Sequence, residues 1–177
     1  MSLWAVHSLV NMDVKLIESS SQSLGLIFNR SKCELISSSP VPSGLSVSDF
    51  CTVAPTDSSL LGAPLLEGPA LDGALQKCFS QLSVAESRLS SIAAHDALLL
   101  LKSSLGTPKL LHLLRSSPCT GHQALLSIDK LLRSCVCKLT NSALSDSQWL
   151  QASLSVKAGG LGVRLTSHLA SSAYLAV

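Results

Sequence analysis

Aromatic residues are scarce in this chain: three phenylalanines, two tryptophans and one tyrosine, 3% of 177 residues. Charge is scarce too. Charged side chains are 14% of the sequence, 13 basic against 11 acidic, where a soluble domain carries about a quarter. The formal net charge of +2 gives no strong whole-chain pull toward nucleic acid, so any phosphate contact has to rest on local clusters. Long apolar runs are missing. The longest, Ala97-Leu98-Leu99-Leu100-Leu101, falls far short of the ~20 residues of a membrane-crossing helix. Met1 to Val10 lacks a basic start and turns polar by Asn11, which is not a secretion signal. An intracellular protein, nuclear or cytoplasmic and without a membrane partner, is expected.

Other absences narrow the chemistry. Cys135 and Cys137 are spaced Cys-x-Cys, not as the Cys-x2-Cys knuckle of zinc sites, so free buried thiols and no metal are expected. Gly159-Gly160-Leu161-Gly162 lacks the GxGxxG spacing and the preceding strand of a dinucleotide site. His95 and Asp96 stand beside many serines, but adjacent helical residues point in different directions and cannot act as one catalytic unit. No solenoid period is present.

The chain is rich in apolar residues: 46% hydrophobic, with a mean hydropathy of +0.41. That suits one sizeable core and leaves apolar surface for another body to cover. Four regions follow in order. Val10, Val14, Ile17 and Leu24 recur at helical spacing up to Gly25, a good helix stop. Leu26 to Phe28 and Cys33 to Ile36 then read as two strands about an Asn29-Arg30-Ser31 turn. Residues 37–69 are loop-rich, with Pro40, Pro42, Pro55, Pro64 and Pro69. Two short strand candidates lie inside, Leu45 to Val53 and Leu60 to Leu66.

Residues 70–104 carry the strongest helical pattern, with Leu71, Leu75, Leu82, Leu89 and Ile92 on one face. Thr107-Pro108 reads as the cap and first residue of a short helix over 109–115. Helices over 122–141, from Ser145-Asp146 onward and from Thr166 complete the pattern.

Three segments carry a family resemblance. Gly25-Leu26-Ile27-Phe28-Asn29-Arg30-Ser31-Lys32-Cys33-Glu34 resembles the "GLxxNxxKCE" segment of reverse transcriptases from non-LTR (LINE-like) retrotransposons. Leu60-Leu61-Gly62-Ala63-Pro64-Leu65 is similar to the "LGxPL" hairpin that follows in that family. Asp146-Ser147-Gln148-Trp149 running into Gly159-Gly160-Leu161-Gly162-Val163-Arg164 resembles the "GGLGxR" block downstream of the thumb. The three occur in the family's order and span nearly the whole chain.

The resemblance implies a fragment of an RNA-directed DNA polymerase. Residues 1–69 correspond to the end of the palm, and 70–177 to an irregular, thumb-like helical bundle and connection. The fold expected is mainly α with a small β-hairpin region (α+β). Lys32 matches the family's nucleotide-proximal lysine, and Leu61 and Gly62 a primer-grip-like tip. Lys109, Arg115 and Arg164 are the first candidates among the basic residues for tracking a nucleic-acid backbone. Lys102, Lys130, Arg133 and Lys138 share their region.

The intact family holds two Mg²⁺ ions on paired aspartates and a third aspartate. The first carboxylate here is Asp13, inside a helical pattern, and the chain starts just after the place of the aspartate pair. No catalytic residue, metal or cofactor is expected in it, and no polymerisation by it alone. Its partners would be an RNA/DNA primer–template and the palm and fingers of the parent protein. The alternative is a helical protein-interaction module derived from such an element, with no nucleic-acid role.

Overall fold

A computed structural model describes residues 3–37 and 47–176, with side chains from residue 9 onward. The loop reading of 38–46 lies outside these residues. The described residues are mainly helical, 65% helix and 6% strand, with two sheets of two strands each. It divides into two compact units, Met1–Ser58 and Ser59–Val177.

The first unit opens with α1 (Leu3–Ser23). Gly25, at φ +72°, ends it. The Leu26 amide bonds to Ser21 O and that of Gly25 to Gln22 O, the paired closure that satisfies a helix's last carbonyls. Leu26 to Asn29 form no strand, which corrects the hairpin expected there. A 3₁₀ turn, Arg30–Lys32, leads to β1 (Glu34–Ile36), which pairs in parallel with β2 (Cys51–Val53). Parallel pairing needs a long crossover, and residues 37–50 supply its length.

Arg30 organises this unit. Its guanidinium reaches Asp49 at 2.7 and 2.8 Å and Glu18 at 3.0 Å, and lies 5.2 Å from the Phe50 ring centroid. The Arg30 hydrogen bonds hold the Asp49 carboxyl below its ordinary range.

The second unit opens on a tight hairpin, β3 (Ser59–Leu60) and β4 (Ala63–Pro64). Leu61 and Gly62 turn it with φ of 51° and 80°, a two-residue reversal with both φ positive. α2 (Pro69–Leu89) follows, starting on proline and burying Leu71, Leu75, Leu82 and Leu89 along one stripe.

The long helix expected over 70–104 is broken at residues 90–93. The hydroxyls of Ser87, Ser90 and Ser91 bond to the carbonyls of Val84, Ser87 and Arg88, a local competitor of the helical ladder. The break also re-aims the next apolar patch. Ala97 in α3 (Ala94–Leu100) and Leu101 in the π turn Leu101–Leu105 are both fully buried.

Gly106, not Thr107, caps α4 (Thr107–Ser116). Thr107 is inside the helix, and its hydroxyl donates to Arg164 O at 2.6 Å. α5 (Gln123–Thr140) is capped by the His122 ring, whose Nδ1 accepts from the Ala124 amide. α6 (Asp146–Ser153) begins with a reciprocal Ser145–Gln148 capping box. After a 3₁₀ turn, Val156–Ala158, and the glycine turn comes α7 (Thr166–Leu175).

α2 packs on α5, and α7 on both α4 and α5. Leu75, Leu114, Ile128, Leu132 and Val136 are fully enclosed, and each such side chain contributes about 1.5–3 kcal/mol of burial. This is a helical bundle with a hairpin at its start.

Candidate nucleic-acid interface

The second unit carries the positive charge. Its sequence has ten lysines and arginines against six aspartates and glutamates, a formal +4, while the first unit stands at −2. Folding then removes most of the acids from play. Glu86 takes Lys138 Nζ at 2.8 Å and the Ser134 hydroxyl at 2.9 Å, and that bond raises the Lys138 pKa. Asp146 pairs with Arg133 at 2.6 Å, and Arg133 also donates to Leu144 O. Asp72 meets His122 Nε2 at 2.8 Å. Asp129 is buried and consumed by four hydrogen bonds from Thr166 and Ser167. Arg133 and Lys138 are therefore structural pairs rather than free backbone contacts.

What remains is a surplus of cations. No described carboxylate lies in ion-pair range of Lys77, Arg88, Lys102, Lys109, Arg115, Lys130, Lys157 or Arg164. Four of these gather around the start of α4. Lys109 and Arg88 line one groove of about 320 Å³ between α2, the π turn and α4. Lys102 and Arg164 line a second cavity of about 240 Å³ that Thr107 and Pro108 also border. Arg115 is exposed six residues beyond Lys109 on the same helix, about 9 Å along its axis.

Lys109 and Arg164 thus flank one short segment, and Arg115 stands apart. Arg88 escapes a reading of the sequence because it sits on a helix assigned wholly to packing. Lys102 is visible there only as one of a scattered basic set.

Leu61 and Gly62 form the hairpin tip. Leu61 is a non-glycine residue in the left-handed region and is 89% exposed. His112 Nε2 lies 3.3 Å from its carbonyl oxygen and ties the tip to α4. Lys32 is exposed on the 3₁₀ turn of the first unit, and Asp13 is exposed on α1.

Among the described residues no group of three or more His, Cys, Asp or Glu side chains could hold a metal ion. Burial pushes the Cys119 thiol up to about 11 and that of Cys135 up to about 12, far from the thiolate that reactive and metal-binding cysteines need. No helix of the described residues is long and apolar enough to cross a membrane. No protein-family model, curated protein or solved structure matches this chain.

Proposed function

We propose that this chain is a piece of the reverse transcriptase of a non-LTR retroelement, and that its helical unit holds primer–template nucleic acid without performing the chemistry. The observation that carries this reading is the cation surplus around the start of α4, with Arg88, Lys102, Lys109 and Arg164 free of carboxylate partners. Lysine and arginine in such a patch contact phosphates without regard to sequence.

The poverty in aromatics adds a restriction. In the second unit Trp149 is buried, Phe79 half-buried and Tyr174 41% exposed, so there is no platform of rings on which unpaired bases stack. Backbone contact with a duplex is the mode this surface suits. The exposed Leu61 tip, in the segment that resembles the primer-holding hairpin, fits the same reading.

The test is binding of the purified chain to a fluorescent RNA–DNA hybrid, titrated from low to physiological salt, with Lys109→Ala/Arg115→Ala beside it. Binding that weakens steeply with salt and is reduced in the double variant supports the proposal. No binding at low salt by a soluble, folded sample sinks it.

One observation favours a protein partner instead. On α1, Leu9, Met12, Leu16 and Ile17 are 51%, 64%, 65% and 50% exposed. A seam of that kind binds another apolar surface, and such association is insensitive to salt in the range that dissolves phosphate contacts. Under that reading the duplex titration is flat, and Met12→Glu/Leu16→Glu abolishes capture of whatever protein the wild-type chain retains.

A further inference from the structure

Lys102 lies across the backbone of Gly162. A β-carbon at Gly162 would stand 2.8 Å from Lys102 Cε and 3.4 Å from Cδ and Nζ. The glycine therefore leaves the space in which the lysine stem rests, and its φ of +80° sets the turn that carries it. Arg164 follows two residues on, its backbone held by the Thr107 hydroxyl at 2.6 Å. Lys102 and Arg164 line the same cavity of about 240 Å³, over an apolar floor of Leu101, Val163 and Leu169. No carboxylate lines it.

Lys102 and Arg164 bring two positive charges to the rim of one apolar recess. No carboxylate in its lining balances them, and a bound anion would. The guanidinium presents a planar fork suited to phosphate oxygens, and the ammonium adds a point charge. From this geometry we infer that Lys102, Gly162 and Arg164 form a phosphate seat, and that it takes one phosphodiester of a bound nucleic-acid strand. The inference rests on the nucleic-acid reading above and adds to it the place where the strand is pinned. It also gives the glycine turn a purpose: Gly162 admits Lys102, and the turn delivers Arg164 beside it.

The test compares two charge-matched double variants of the full chain on the same RNA–DNA hybrid. Lys102→Gln/Arg164→Gln empties the seat. Lys77→Gln/Lys157→Gln removes two exposed charges elsewhere. Loss of one phosphate contact should lower the salt slope by about one and the affinity at low salt by roughly tenfold in the seat variant, with the control changed far less. Lys102→Arg/Arg164→Lys, which keeps both charges, should restore most of the binding. All these side chains are exposed, and matching thermal unfolding checks that the fold is kept.

Equal losses in seat and control variants overturn the seat while leaving the nucleic-acid reading in place. Absence of salt-sensitive binding by the wild-type chain overturns both. A third arm titrates inorganic phosphate. Phosphate bound by the wild-type chain and lost in the seat variant, with duplex binding unaltered, assigns the seat to a free phosphate and overturns the phosphodiester.

Discussion

Leu61 holds a φ of 51° at the hairpin tip, where a side chain crowds its own backbone and costs about 1–2 kcal/mol. Asparagine before glycine is the favoured pair for such a turn. Leu61→Asn should therefore raise stability by about 1 kcal/mol, or roughly 2–4 °C in the melting temperature of a chain this size. If the leucine is kept for contact, the same variant binds the RNA–DNA hybrid less tightly. A melting temperature that stays put or falls contradicts the strain argument. The strand expected over Leu60 to Leu66 is interrupted by this turn; only the resemblance to the family's hairpin points to it, because leucine gives no local signal for a positive φ.

Among the elements, α7 has the most unusual support. Its own cap residue, Leu165, offers no side-chain acceptor. Asp129 of α5 supplies it from outside, accepting from the Thr166 amide at 2.6 Å and the Ser167 amide at 3.1 Å, and from both hydroxyls at 2.7 and 2.5 Å. A carboxylate at a helix start also meets the positive end of its dipole. Asp129→Ala leaves buried donors unpaired and should cost about 2 kcal/mol or more, read as a lower midpoint in denaturant unfolding. A change below about 0.5 kcal/mol, the usual span of surface substitutions, rejects this role.

α6 shows the contrasting case. Its capping box is local, Ser145 with Gln148, and the sequence announces its start. Nothing within a turn of Leu165 announces Asp129.

The whole molecule keeps two thiols protonated by burying them. Cys119 and Cys135 rise from an ordinary 9.0 to about 11 and about 12. The folded state thus holds these protons after the unfolded chain has released its own. Their contribution is whole below pH 9 and drains away as pH rises toward 12. Unfolding free energies at pH 8 and pH 10 should differ in the wild-type chain, and Cys119→Ala/Cys135→Ala should flatten that difference even though it lowers stability at both. An unchanged slope in the double variant would show that other groups carry the alkaline loss.

The amino-acid sequence by itself determined the helical periods, the proline and serine starts and the glycine stops. Each is a matter of a few neighbouring residues and their backbone preferences. Only the tertiary structure decided which cations are free. Glu86 and Asp146 consume Lys138 and Arg133, whereas Lys102 comes to rest on Gly162, sixty positions along the chain. The parallel pairing of Glu34–Ile36 with Cys51–Val53 and the break after Leu89 were decided there too. The reason is range. Propensity and capping act within a turn, while charge pairing, strand partners and the direction of a helix's apolar face are settled by groups that only packing brings together.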